Sequence, residues 1–164
     1  TKKNHEELCA ALGGYTDVLF AFPLYADSLP VGFLNFLKAL EVCPPAHKPV
    51  VSILINCGFL EAEQSEVAIR MMRLFCRRNG YVMGSVLMLG SGEAILDTPF
   101  KYVATRNIRR LAQSMVSGRY HTLSATMPLS KYLFRLAADI YWTFYGKRFG
   151  TTRRQMQTME VEGK

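Results

Sequence analysis

Tyr25, Asn56, Cys57 and Gln64 are the side chains best placed to touch a ligand, because each sits just past an apolar run that ends abruptly. The first run, Asp17-Val18-Leu19-Phe20-Ala21-Phe22, has the length of a strand and stops at Pro23. Pro23, Leu24, Tyr25, Ala26, Asp27 and Ser28 then make a short loop, and a helix opens at Pro30. Tyr25 offers a flat ring for stacking and a hydroxyl for hydrogen bonding. The second run, Val50–Asn56, leads into Cys57-Gly58-Phe59-Leu60-Glu61-Ala62-Glu63-Gln64. There Gly58 permits close approach to the backbone, while Asn56 and Gln64 bring amide donors and acceptors. A third run ends in Gly90-Ser91-Gly92-Glu93. Ligands of open α/β sheets bind outside the carboxyl ends of the strands, so three such loops together read as a binding edge. Singly, each also reads as a turn with a packed aromatic or a turn glycine.

Other chemistries have little support. The three histidines, His5, His47 and His121, lie outside these loops, and no Ser-His-Asp or Cys-His constellation is visible. Cys9, Cys43, Cys57 and Cys76 include no C-x-x-C pair, so the spacing encodes neither a zinc site nor an iron–sulfur cluster. Among apolar neighbours they read as reduced core residues of a cytoplasmic protein. Cys57, beside Gly58, has packing as its commoner reading and a reactive thiol as the rarer one. No apolar run reaches the roughly 20 residues of a membrane span. Thr1-Lys2-Lys3-Asn4-His5 has no apolar segment behind it of the kind a secretory signal carries.

These loops need a scaffold. The 164 residues, 49% of them hydrophobic and 20% charged, suffice for one sizeable core. Strands are expected at Asp17–Phe22, Val50–Asn56 and Tyr81–Leu89, each nearly continuous in apolar character, as parallel strands covered on both faces are. Helices fill the gaps. Phe33, Phe36, Leu37 and Leu40 mark the first after Pro30, and Pro44-Pro45 ends it. Ala68, Met71, Met72 and Phe75 mark the second, stopped by Gly80. The third is expected to start with Thr98 as N-cap and Pro99 behind it, and to stop at Gly118. Glu6–Leu12 reads as a further helix, and Tyr120–Leu129 as a connector. The order predicts a doubly wound α/β domain with right-handed crossovers over residues 1–150, followed by a polar tail at 151–164.

The net charge of +7 is concentrated in Arg70, Arg73, Arg77 and Arg78, then Arg106, Arg109 and Arg110, then Lys147, Arg148, Arg153 and Arg154. A solvated basic face, a phosphate-bearing small molecule or an acidic partner would each account for it. Nucleic acid is not expected, because no stacking aromatics interleave with the arginines.

The stretch Phe22-Pro23-Leu24-Tyr25 through Ser28-Leu29-Pro30, with Phe36-Leu37-Lys38 on the following helix, resembles the flavin-loop region of flavodoxin-like NAD(P)H-dependent FMN reductases and multimeric flavodoxins. Asn56-Cys57-Gly58-Phe59 with Glu61 and Gln64 is similar to that family's next flavin loop, and Met127-Pro128, Trp142 and Lys147-Arg148-Phe149-Gly150 share its ending. The resemblance implies a flavodoxin-like three-layer α/β/α fold with a parallel sheet. It also implies FMN as cofactor, NAD(P)H as possible co-substrate, and a quinone, flavin or other small molecule as electron acceptor. Pro23–Ser28 would border the isoalloxazine ring, and Asn56–Phe59 with Gln64 its polar edge. The family normally opens with a strand and a Gly- and Ser/Thr-containing phosphate loop, and nothing before Asp17 supplies that unit. The first two strands of the usual order are therefore expected to be absent from this chain, leaving Val18, Phe20 and a strand edge exposed. FMN binding by this chain alone is expected to be weak or absent. A non-enzymatic module and an electron carrier are the alternative readings.

The last helix, about Ser130–Tyr145, carries Leu133, Phe134, Ile140, Tyr141, Trp142 and Tyr145 around most of its circumference. Packing on its own domain, a subunit interface and membrane-surface attachment would each use such a helix. A homodimer through residues 130–145 is the expectation, with no membrane partner.

Overall fold

The computed structural model describes residues 2–158. It divides into two compact units, one ending at Met127 and one beginning at Pro128, whereas the sequence reading carried the first domain to residue 150. The first unit is α/β. Helix α1 (Lys2–Leu12) leads to strand β1 (Asp17–Pro23), helix α2 (Val31–Val42) and strand β2 (Val50–Asn56). A turn of 3-10 helix at Ala62–Ser65 opens into α3 (Glu66–Asn79), and then come β3 (Met83–Leu89), α4 (Gly92–Leu96), α5 (Lys101–Val116) and β4 (Thr122–Ala125). The four strands form one parallel sheet in the order β1-β2-β3-β4.

Alternation along each strand splits the core into two layers. Phe22 of β1, Val51, Ile53 and Ile55 of β2, and Val86 and Met88 of β3 share one cluster with α1, α2 and α3. Leu40 and Met72 are fully buried within it, as the helical spacing predicts. On the other face Leu87 packs beneath α5, whose Ala104, Leu111 and Ser114 are buried. Helices on both faces make the three-layer α/β/α arrangement expected of a flavodoxin-like fold. Handedness is less uniform than expected. Strand order advances one way throughout, yet α2 and α3 lie on one face and α5 on the other, so the β3–α5–β4 connection has the opposite hand to the two before it.

Polar groups inside this sheet are paired. β3 carries an irregularity in its register against β2 between Val51 and Ile53. There the Ser85 amide donates to Ser52 Oγ at 3.0 Å, and Ser85 Oγ lies 2.6 Å from Ser114 Oγ on α5. Ser114 donates its own proton to Leu111 O, so Ser85 is the donor of that pair, and it accepts in turn from the His121 amide. Gly84 belongs to the same device, because a Cβ there would collide with Ser52 Oγ and Val50 Cγ1.

Several expectations shift. A fourth strand, β4, lies inside the stretch read as a connector. The third long helix begins at Lys101, with Phe100 rather than Thr98 at its N-cap. Thr98 Oγ1 instead donates to Ile95 O, closing the short helix α4, which the sequence reading did not anticipate. β1 is an edge strand, as expected, but Val18 and Phe20 pack partly buried against the core. The residues left exposed are Leu19 and Ala21, on the same side of the sheet as α5.

The second unit holds α6 (Lys131–Arg148) and α7 (Arg153–Met156). Ser130 caps α6 by accepting from the Leu133 amide, and Thr152 with Gln155 forms a capping box on α7. The sequence reading took α6 as buried against more than one neighbour. No residue of α6 is buried.

Two outcomes test this packing. Gly84→Val puts a branched side chain against Ser52 and Val50, and overpacking of this kind costs about 1–3 kcal/mol. The urea midpoint should fall with the slope unchanged. Burial also pushes the Cys76 thiol up to about 11. The folded protein then holds a proton that the unfolded chain releases above the ordinary thiol range, so stability falls as pH rises toward 11. Urea midpoints measured from about pH 8 to about pH 10.5 should show that decline, and Cys76→Ala should make it shallower, the raised Tyr81, Cys9 and Cys57 supplying the rest.

Candidate functional site

The sheet is parallel, so all four strands deliver their following loops to one edge, and these loops are tied to each other by backbone bonds. The Leu24 amide donates to Asn56 O at 2.8 Å, joining the loop after β1 to the end of β2. The Cys57 amide donates to Leu89 O at 2.9 Å, and the Gly90 amide to Ala125 O at 2.8 Å. The loop after β3 folds back under the loop after β2, with the Ser91 amide on Phe59 O at 2.5 Å and the Gly92 amide on Cys57 O at 2.7 Å. Gly90 is required here, because a Cβ would stand 2.6 Å from Leu60 O and 2.8 Å from Thr126 Oγ1.

Side chains complete the lacing. Ser91 is buried in a left-handed conformation with φ of 61°. Its hydroxyl lies 2.8 Å from Thr126 Oγ1, and Thr126 gives its own proton to Leu60 O at 2.6 Å. The Ser91 proton is therefore spent on Thr126, and Ser91 Oγ accepts from the Met127 amide. Such a serine is a brace and not a nucleophile. Gly90-Ser91-Gly92 was legible as a strand-end loop. Thr126 and Met127 were not, because nothing in a Thr-Met-Pro sequence announces a role at the end of a strand.

Tyr25 stands at the carboxyl edge, 64% exposed, as expected. It opens a tight turn in which the Tyr25 and Ser28 amides each donate to the other residue's carbonyl, at 3.1 and 2.9 Å. The central residues, Ala26 and Asp27, have φ of 45° and 55°. Asp tolerates that region, but Ala does not, since the left-handed conformation costs a residue with a Cβ roughly 1–2 kcal/mol. Strain of this kind persists where the surroundings over-determine it, and it gathers at binding loops. Ser28 Oγ, 3.6 Å from Met71 Sδ, ties the turn to α3, and buried Leu29 roots it in the core. Pro23 and Asp27 are exposed and Leu24 is half-buried.

In the neighbouring loop Phe59 is 55% exposed, Gln64 is exposed and Asn56 is half-buried. The position a Cβ would take on Gly58 meets nothing within 4 Å, so the space above it is open. Cys57 turns inward, its Sγ directed at Phe59 O and Glu61 O at 3.7 and 3.5 Å. Burial pushes its pKa up. This is the packed thiol of the commoner reading and not the reactive one.

Tyr25 and Phe59 thus stand exposed on adjacent loops, and the space beside Gly58 is open. The same edge is unsuited to an anion. Asp27, Glu61, Glu63 and Glu93 lie in its loops, and residues 23–30, 56–64 and 90–93 contain no Lys or Arg. The arginines gather elsewhere. Arg110, Arg119 and His121 line a groove of about 580 Å³ between α5 and the start of β4, and Arg106 and Arg109 line another of about 610 Å³ along α5. Among the described residues no three His, Cys, Asp or Glu side chains are grouped to hold a metal ion.

Comparison with family models, with curated proteins and with solved structures finds no match to this chain. The class that can be stated is that of the fold, a parallel α/β sheet covered on both faces. No helix among the described residues is long and apolar enough to cross a membrane.

The turn strain is measurable. Ala26→Gly should raise stability by about 0.5–1 kcal/mol, the relief of left-handed strain less the larger chain entropy that glycine loses on folding. Ala26→Val should lower it by more, with both read from urea midpoints.

Proposed function

We propose that this chain forms the ring-binding part of a flavin-dependent oxidoreductase of the flavodoxin-like class, which uses FMN and NAD(P)H and passes electrons to a quinone, flavin or other small acceptor. The observation that supports the reading is the exposure of Tyr25 and Phe59 on the adjacent loops after β1 and β2, joined through the Leu24 amide on Asn56 O, with open space beside Gly58. The fit is to the ring. Tyr25 and Phe59 would stack against it, the Asn56 and Gln64 amides would meet its polar rim, and the braces at Ser91 and Thr126 would hold the loops rigid. A bound flavin supplies the hydride chemistry, and the protein supplies binding and orientation. This division accords with an edge that carries no histidine and no free nucleophile.

The fit to the flavin's phosphate is poor, because the same loops are acidic and hold no cation. That favours the second reading, a flavodoxin-like module or electron carrier whose phosphate site is lost or never completed. Titration of the chain with FMN, followed by quenching of flavin fluorescence, tests the first reading. Binding should be weak, and Tyr25→Ala or Phe59→Ala should weaken it about three- to tenfold each, as the loss of one aromatic contact does. Binding that neither substitution changes would remove the ring site. Oxidation of NAD(P)H with a quinone acceptor then separates an oxidoreductase from a carrier.

A further inference from the structure

The cations that the carboxyl edge lacks gather at the opposite end of the sheet, where β4 begins. Residues 98–127 hold Lys101, Arg106, Arg109, Arg110 and Arg119 and contain no Asp or Glu. The C-terminal half of α5 and the start of β4 flank the groove of about 580 Å³ that Arg110, Gln113, Arg119, His121 and Thr122 line. Arg73, on α3 across the sheet, reaches the same strand and donates to Thr122 Oγ1 at 3.4 Å. Cations from two helices and from the loop before β4 thus meet at one place.

Two of the guanidiniums are positioned by neutral atoms. Asn107 is buried, its amide is fixed on Val103 O at 2.9 Å, and its Oδ1 accepts from Arg110 Nη1 at 3.4 Å. Thr122 Oγ1 does the same for Arg73, and its own proton remains to be given. No carboxylate pairs with Arg73, Arg106, Arg109, Arg110 or Arg119 among the described residues. Asp17 accepts from Tyr120 Oη at 3.3 Å and from no arginine. An arginine held by a neutral acceptor keeps its full charge and most of its five N–H groups. The last carbonyls of α5, whose partial negative charge would oppose an anion, are occupied as well. Ser114 Oγ donates to Leu111 O, Ser117 Oγ to Ser114 O and the Gly118 amide to Met115 O.

A solvated basic face intersperses acids, as α3 does where Glu66 pairs with Arg70. On α5, Arg106, Arg109 and Arg110 stand at i, i+3 and i+4, where like charges repel, and no carboxylate offsets them among the described residues. An anion with several charges close together does offset them, and the guanidinium fork matches phosphate oxygens two at a time. The alternate carboxylates of an extended acidic peptide stand about 7 Å apart, a spacing for a long strip of cations and not for a cluster around one groove.

We infer that this groove binds a small anion carrying a chain of phosphates, with Arg110 and Arg119 as its forks and Arg73, Gln113 and Thr122 completing the donors. The site lies at the amino end of β4, apart from Tyr25 and Phe59, and does not depend on the flavin reading. Exposed Tyr102 lines the adjoining groove along α5, which shares Arg110 and Gln113, and a nucleoside on the phosphates would lay its base there.

The test titrates the full chain by calorimetry with sodium tripolyphosphate, with ATP and with a polyglutamate peptide. Tripolyphosphate should bind, and added salt should weaken it. Arg110→Gln and Arg119→Gln should each lower its affinity about tenfold, as the loss of a charge-assisted bond does. Arg110→Lys, which keeps the charge and loses the fork, should fall between. Lys38→Gln on α2 removes the same charge away from β4 and should leave the affinity unchanged. All three positions are exposed, so circular dichroism should show each variant folded. ATP that binds no tighter than tripolyphosphate assigns the groove to the phosphate chain alone, and tighter ATP binding that Tyr102→Ala removes assigns it to a nucleotide. Absence of tripolyphosphate binding overturns the proposal, as does binding that Arg110→Gln and Arg119→Gln leave unchanged or that Lys38→Gln weakens equally. Tighter, Arg110-dependent binding of polyglutamate gives the groove to an acidic partner and overturns it too.

Discussion

Burial of β2 and β3 on both faces is the constraint on which the rest of this structure depends. A parallel strand has no room for an unpaired polar group on either side, so its sequence runs nearly continuous in Val, Ile, Leu and Met. Ser52 and Ser85 are the exceptions, and they show what an exception requires. Their hydroxyls are spent on the Ser85 amide, the His121 amide and Ser114, which joins the sheet to α5 and fixes where β4 begins. A buried hydroxyl without those partners would lose roughly 1–3 kcal/mol. The polar pairs therefore specify register where apolar contact alone would tolerate a slip.

The carboxyl edge inherits its rigidity from that register. Once β2 and β3 are aligned, Cys57 and Leu89 are neighbours, and the loops leaving them are close enough to bond to each other. The Ser91 and Gly92 amides use this proximity to hold the loop after β2 from beneath. Phe59 and Gly58 are thereby pushed outward. The turn at Tyr25–Ser28 is fixed differently, by two backbone bonds and by Leu29 in the core, and its left-handed Ala26 is carried against an intrinsic cost. Rigid loops that present exposed rings lose little freedom when a ligand arrives, which is the energetic condition for binding on a shallow surface.

Much of the scaffold was legible because its signals are strong. Periods of 3.6 and near-continuous apolar runs located α2, α3 and β1 to β3 within a few residues. β4 was not legible, since Thr122-Leu123-Ser124-Ala125 has one large apolar side chain and owes its strand to the open edge of β3. Thr98-Pro99 resembles a helix start by type, but the chain uses Thr98 to end the preceding turn. Tyr25 was placed at the edge by Pro23 alone. The strained turn beyond it was hidden because alanine is not a residue that announces positive φ. Cys57 was marked by its position next to Gly58. Only the carbonyls facing its sulfur reveal that it points inward.

The two edges of the sheet differ in a way that bears on assembly. β4 is four residues long, with Thr122 and Ser124 facing solvent, and a short polar edge resists pairing with another strand. β1 has seven residues, apolar for most of its length, and Leu19 and Ala21 lie uncovered beside its free backbone. Its outer amides and carbonyls need directional partners that only an extended segment supplies in register.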